Sequence, residues 1–267
     1  MLGTELDELG FVYAGTKNAD RGPEWIKIID NMIYLTFRAR KTGGGFIEVW
    51  FSVGSLLARY PENSLKMYFL SDIMGQQILN SGGDNGVLGF NLFFSNGSEE
   101  IIDSDINRGR KCFSIVKPVL ASVNDLESCF KAKQRSGYLS TFVYARKWYG
   151  REATEEDYAE YPPDDAFFIL CMLGRYDEAA NYLLRYLKEF KRVYWNTTDG
   201  PQLYQKKVDT WTPYIELAEK REIGRLNAMM IKNYNANCDW VEVNKGFKID
   251  RTKWLELLSE GSHYKLL

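Results

Sequence analysis

The chain has 267 residues, enough to bury a real core as one large or two small domains. Its 34 basic and 36 acidic residues leave a formal net charge of −2, so there is no overall basic footprint that would make nucleic acid the default partner. Its single histidine, His263, stands four residues from the end. Catalytic triads, histidine-based zinc sites and phosphohistidine chemistry each need a histidine inside the fold, and that residue reads as part of a solvated tail.

The four cysteines, Cys112, Cys129, Cys171 and Cys238, form no C-x-x-C pair. They read as free, small apolar residues rather than metal ligands or disulfides. Met1 to Glu5 offers neither a basic n-region nor an apolar h-region. No apolar run reaches the roughly 18 to 20 residues of a membrane span. The expectation is a cytoplasmic protein in a reducing compartment, with no membrane, no cofactor and no metal. Aromatic residues make up 15% of the chain, with 17 Tyr and 7 Trp. Such rings serve either sheet and helix cores or half-wet protein interfaces.

In chain order, Glu5 to Leu9 predicts a helical turn stopped by Gly10. Phe11-Val12-Tyr13 starts a strand. Trp25 to Asp30 and Met32 to Arg40 have strand composition, with Ile33, Leu35 and Phe37 sharing one face at a period of two. Lys41 to Gly45 predicts a hairpin loop. Phe46 to Val53 alternates, and Ile47, Val49, Phe51 and Val53 form its expected core face. A further strand is expected at Leu88 to Ser95. Short links favour antiparallel pairing.

From Glu99 onward helical patterns dominate. Cys112 to Ala121 predicts a helix that Pro118 kinks or splits. A second, Asn124 to Arg135, is capped by Ser122 or Asn124. Tyr138 to Tyr149 predicts another, and Thr154-Glu155-Glu156-Asp157 resembles a capping box. Pro163 to Leu173 predicts a helix stopped by Gly174, and Tyr176 to Arg192 the next one. In that next helix Ala179, Ala180, Leu183, Leu184, Leu187 and Phe190 make an apolar stripe. Acids in its first turn and Lys188, Lys191 and Arg192 near its end suit the helix dipole. The short link makes these two a helical hairpin. Leu173 to Ala179 resembles the turn of a tetratricopeptide repeat, but a single copy does not make a solenoid. Thr212 and Pro213 predict a helix start, running to about Tyr234. Cys238 to Val243 reads as a short strand or an irregular arm. Asp250 caps a last helix to about Ser259, with Trp254, Leu257 and Leu258 inward. The expected fold is thus α+β. An N-terminal antiparallel sheet of about four strands is followed by a mostly helical C-terminal half containing a helical hairpin. Residues 1–267 read as a single α+β unit, mainly β over 1–97 and mainly α over 98–267.

Few constellations suggest chemistry. The glycine-rich run Gly82 to Gly89 lacks the Gly-Lys-Ser/Thr of a P-loop, and a strand rather than a helix is expected after it, so a hairpin connection explains it better. Glu99, Glu100, Asp103 and Asp105 match no calcium-loop pattern and suit a helix start. There is no G-x-S-x-G elbow. The strongest charge pattern lies between Ser128 and Asp165. Six basic residues run to Arg151 without an acid; then Glu152, Glu155, Glu156, Asp157, Glu160, Asp164 and Asp165 follow without a base. The acidic neighbour repels phosphates within a screening length, which argues against a nucleic-acid patch. Two readings remain: helices that pair with each other, and an acidic segment that binds a basic protein.

The stretch from Leu6 to Leu56 resembles a group of small bacterial proteins of the immunity type. The residues that carry the resemblance are the Gly10-Phe11 step after a helix, then the strands Met32 to Phe37 and Phe46 to Gly54. Relatives of that kind bind and block a toxin made by the same or a neighbouring cell. The resemblance covers about a fifth of the chain, its motifs are generic, and it transfers no functional residue.

The expected function is therefore non-enzymatic protein binding: a bacterial immunity protein that neutralises a toxin by direct contact. The expected partner-binding residues are Glu155, Glu156, Asp157, Tyr158, Glu160, Tyr161, Asp164 and Asp165. Carboxylates would pair with a basic active site while tyrosines anchor. Two alternatives stand beside it. One is an adaptor whose hairpin, Pro163 to Arg192, docks a partner helix. The other is an enzyme or small-ligand binder working through carboxylates and tyrosines in a cleft.

Overall fold

The computed structural model describes residues 2–15, 24–42, 46–58, 117–118, 120–132 and 163–260. The class is α+β: a four-stranded antiparallel sheet near the N-terminus and a mostly helical C-terminal half. These residues fall into two compact units. The first holds the sheet and the segment 117–132; the second begins at Ser55 and holds the C-terminal helices. The expected strand at Leu88 to Ser95 and the expected helices at Tyr138 to Tyr149 and from Thr154 lie outside the described residues, as does the Gly82 to Gly89 run.

In the first unit, α1 (Leu2–Glu8) ends as expected at Gly10, whose φ is +79°. The Gly10 amide donates to the Asp7 carbonyl and the Phe11 amide to the Leu6 carbonyl. This pair of bonds is the Schellman closure that a left-handed residue permits. Strands β1 (Val12–Gly15), β2 (Glu24–Ile29), β3 (Ile33–Thr42) and β4 (Phe46–Ser55) follow in sheet order β1-β2-β3-β4. Asp30 and Asn31, both at positive φ, turn β2 into β3, and such short polar side chains tolerate that region best after glycine. Register places Tyr13 opposite Trp25 and Trp25 opposite Phe37. Their ring centroids lie 5.3 and 5.5 Å apart, an aromatic row across three strands. Ile33, Leu35 and Phe37 are buried as expected, but so are Tyr34 and Thr36 between them. Over this part β3 is covered on both faces, which a period-two pattern of one core face does not foresee.

Residues 117–118, 120–122 and 126–132 are helical, so Pro118 does lie in a helical stretch. The second stretch is capped by Asp125, one residue past the expected Asn124. The Ser128 amide donates to Asp125 Oδ1 at 2.7 Å, and Ser128 Oγ accepts from the Asp125 amide at 3.0 Å. This reciprocal arrangement is a capping box. The hydrogen bonds from Ser128 hold the Asp125 carboxyl below its ordinary range.

In the second unit, α2 (Pro163–Met172) and α3 (Tyr176–Tyr194) form the expected hairpin. Gly174, at φ +71°, closes α2 with the same Schellman pair: Gly174 to the Cys171 carbonyl, Arg175 to the Leu170 carbonyl. Residues from Asp165 to Leu173 are all buried, so α2 is the central helix of this unit. In α3 the buried stripe runs through Tyr176, Ala179, Ala180, Leu183, Tyr186 and Leu187. Leu184, expected on that stripe, is exposed. At about 100° per residue it falls just past the stripe's edge.

The next boundary differs from expectation. Pro213 lies inside α4 (Gly200–Glu219), not at a helix start. It removes one backbone hydrogen bond, at about 3 kcal/mol; burial of Trp211, Ile215, Leu217 and Ala218 carries the helix through. The break falls instead after Lys220, at Arg221, which takes φ +51°. The Arg221 amide donates to the Ala218 carbonyl and the Glu222 amide to the Leu217 carbonyl, a third Schellman closure with arginine in the usual glycine place. Helix α5 (Ile223–Lys245) then runs through Cys238 to Val243, where a strand or irregular arm was expected. Tyr234, Cys238 and Val241 are buried along one face there, a helical period. Helix α6 (Thr252–Ser259) has Arg251 at its N-cap, one residue past the expected Asp250, whose carboxylate accepts from the Thr252 amide at 3.0 Å; the helix buries Trp254, Leu257 and Leu258 as expected.

Candidate functional site

Of the eight acidic and tyrosine residues expected to contact a partner, Glu155, Glu156, Asp157, Tyr158, Glu160 and Tyr161 lie outside the described residues. The backbone of Asp164 occupies the first turn of α2. Asp165 is in a different situation from a surface acid: it is 2% exposed. Its carboxylate accepts from the Ser55 amide at 3.0 and 3.1 Å and from Ser55 Oγ. Asp165 is therefore withdrawn from the surface set. Its acceptors serve a chain segment 110 residues earlier, a pairing that no local charge pattern could reveal.

Ser55 begins a short buried segment, Ser55 to Ala58, seated among the helices. Asn237 Nδ2 donates to the Leu56 carbonyl at 2.7 Å and to the Ala58 carbonyl at 2.8 Å. Asn233 Nδ2 donates to the Leu57 carbonyl at 3.0 Å. Leu56 and Leu57 are fully buried, so these carbonyls have no water to turn to. Two amides four residues apart on α5 and one carboxylate on α2 thus fix a segment that would otherwise bury orphan polar groups. The cluster positions the chain, with only Asn233 partly reaching solvent.

The exposed counterpart lies where α3 passes into α4. Leu184, Lys188, Lys191 and Trp195 follow one another at helical spacing and are all exposed, along the flank of α3 beside its apolar stripe. The Trp195 ring is 43% exposed and meets Tyr204 of α4 edge-on at 5.8 Å. Lys191 Nζ stands 4.7 Å from the Trp195 ring centre and 5.4 Å from that of Tyr204. Lys207 Nζ stands 5.7 Å from the Phe190 ring, and Phe190 stacks on Tyr194 at 4.5 Å. Leu203, also exposed, neighbours Tyr204 on α4. Each such cation–ring contact contributes about 0.5–1 kcal/mol at a surface.

The link between the helices is tight. The Thr197 amide and Oγ1 both donate to the Tyr194 carbonyl, at 3.0 and 2.8 Å, and the Gly200 amide donates to the Thr197 carbonyl at 3.0 Å. A Cβ on Gly200 would fall 1.7 Å from the Tyr194 carbonyl oxygen, so only glycine fits. Trp195 is held on a fixed turn. The signal for this ridge was present in the sequence: lysines and a tryptophan at i, i+3 and i+7 beside an apolar stripe. Reading Lys188 and Lys191 only as dipole partners missed it.

The described cysteines are shielded by burial. Cys129, Cys171 and Cys238 are free and buried. Burial pushes the Cys171 thiol well above its ordinary range and the Cys238 thiol up to about 11. Burial likewise pushes the Tyr182 hydroxyl up to about 12, with Arg185 opposing and Asp165 adding to the shift. A reactive cysteine has the reverse shift. Among the described residues no three His, Cys, Asp or Glu side chains converge as metal ligands, and no helix is long and apolar enough to cross a membrane. In the α2–α3 hairpin proposed for an adaptor, the described apolar side chains are mostly turned inward, while Leu184 is exposed. No protein-family model, no curated protein and no solved structure matches the chain.

Proposed function

We propose that this protein acts by binding another protein, as an immunity protein that blocks a toxin by direct contact. The observation that carries the binding reading is the ridge on α3 and α4. A tryptophan 43% exposed, packed on a tyrosine and a lysine and fixed by a glycine-dependent turn, is the kind of rigid aromatic anchor that interfaces use. A monomer gains little from keeping such a ring in water. The toxin-neutralising part of the reading rests on the N-terminal resemblance from Leu6 to Leu56. The acidic residues Glu155, Glu156, Asp157, Glu160 and Asp164, with Tyr158 and Tyr161, remain in the proposal as a second contact, for a basic face of the partner; Asp165 does not.

The test is a tagged pull-down from native lysate at graded salt, with mass spectrometry of what co-elutes, followed by co-expression of any toxin found. One stoichiometric partner whose toxicity is relieved by this chain supports the proposal. Absence of a partner at every salt concentration overturns it. Charge reversal at Glu155, Glu156, Asp157 and Glu160 should weaken that complex while leaving thermal unfolding in place. Unchanged affinity removes the acidic segment from the interface.

A further inference from the structure

We infer that the α3–α4 ridge is a docking surface for an acidic protein segment that carries apolar side chains. The inference rests on the protein-binding reading and names the chemistry of the partner at this site. It runs opposite to the overall charge of the chain, which is slightly acidic.

The argument is from charge and from which charges are already satisfied. The outer flank of α3 presents Lys188 and Lys191, α4 adds Lys207 against Phe190, and Lys206 next to it is exposed. Most acids of the same region are engaged or withdrawn. Glu189 is buried and bonded to Arg192 at 2.6 Å. Asp209 accepts from Gln205 at 2.8 Å. Asp177, further back on the exposed face of α3, pairs with Arg221 at 3.2 Å. Asp199, exposed in the link, is the acid closest along the chain to Trp195. The local balance is therefore positive where the apolar surface is richest, namely Leu184, Trp195 and Leu203, each 43–45% exposed. Lysines set among exposed apolar groups favour a ligand that brings carboxylates and apolar side chains together. A bare polyanion would use the lysines alone and leave Leu184 and Leu203 in water. A purely apolar segment would bury the lysine ammonium groups without partners.

The experiment uses the full chain and fluorescence anisotropy. The probe is a fluorescein-labelled peptide of alternating glutamate and leucine. A glutamate–serine peptide of the same length and an oligothymidylate of the same charge serve as comparisons. The expected order is the glutamate–leucine peptide tightest, with affinity falling as salt rises. Trp195→Ala, and separately Lys191→Glu with Lys207→Glu, should each weaken it about tenfold. Trp195→Phe and Lys191→Arg should retain most of it. Circular dichroism and thermal unfolding of each variant confirm that the fold is intact. Three results overturn the inference: no binding of the glutamate–leucine peptide, binding that the ridge variants do not change, or oligothymidylate binding equally well or better. Tighter peptide binding after Glu155→Lys and Glu156→Lys would assign the ridge to this chain's own acidic run, and overturns it too. The two proposals fail separately. A lysate partner retained by the ridge variants would sink the ridge and leave the binding reading. Ridge-dependent peptide binding without any lysate partner would do the reverse.

Discussion

The second unit holds two clusters built from polar and aromatic residues, and they do opposite work. Around Ser55 a carboxylate and two side-chain amide groups meet backbone groups that have lost their water. On the α3–α4 ridge a tryptophan, a tyrosine and two lysines stand at the surface and meet mostly each other. Residue type does not distinguish the two. Asp165 was grouped with surface acids by its neighbours in sequence, yet it belongs to the core. What separates the clusters is whether the partner groups lie across the fold or beside one another on it. The first cluster therefore bears on stability and the second on binding.

The sharpest way to break this contrast is at Gly200, which serves the ridge through the backbone. Gly200→Ala forces the Cβ against the Tyr194 carbonyl and should cost about 3 kcal/mol or more. Urea unfolding measures it, and a loss below 1 kcal/mol would show that the turn relaxes freely. Asp165→Ala comes next. It leaves the buried Ser55 amide and hydroxyl without their acceptor and should cost about 2–4 kcal/mol, while Asn237→Ala should cost about 1–3. Neither should alter peptide binding at the ridge once the protein is folded. If Asp165→Ala instead left stability untouched and abolished partner binding, the buried assignment would be wrong.

The buried thiols give a smaller, pH-dependent test. A disulfide reagent at pH 8 should leave Cys129, Cys171 and Cys238 unmodified in the folded protein and reach them in denaturant. Cys238 titrates higher when folded than unfolded, because burial disfavours its thiolate. Its contribution to stability is thus complete below about pH 9 and is lost as pH rises towards 11. Rapid native labelling of all three would contradict their burial. The smallest effect is expected at Arg221. Arg221→Gly relieves a left-handed arginine and loses an exposed ion pair with Asp177, for a net gain of up to about 1 kcal/mol. A clear loss would mean that the ion pair outweighs the backbone strain.

Much of the fold was legible in the sequence because its signals are local. Gly10 and Gly174 mark helix ends through their freedom at positive φ, and Asp250 marks a helix start through its carboxylate. The alternating runs gave the strands. The α3 stripe gave the hairpin. What was misread had a local signal overridden by packing. Pro213 normally begins a helix, but buried Trp211 and Ile215 hold α4 together through it. The true stop, at Arg221, carries no glycine to announce it.

The sequence by itself determined the class, the order of the four N-terminal strands and the hairpin, since each follows from periodicity and from the backbone limits of single residues. Only the tertiary structure decided which acid is inside, where α4 gives way to α5, and that Lys191 and Trp195 meet Tyr204 across a turn. Those outcomes depend on contacts between distant segments. Burial makes an unpaired polar group costly and a paired one decisive, and no local pattern in the chain records which partner it will find.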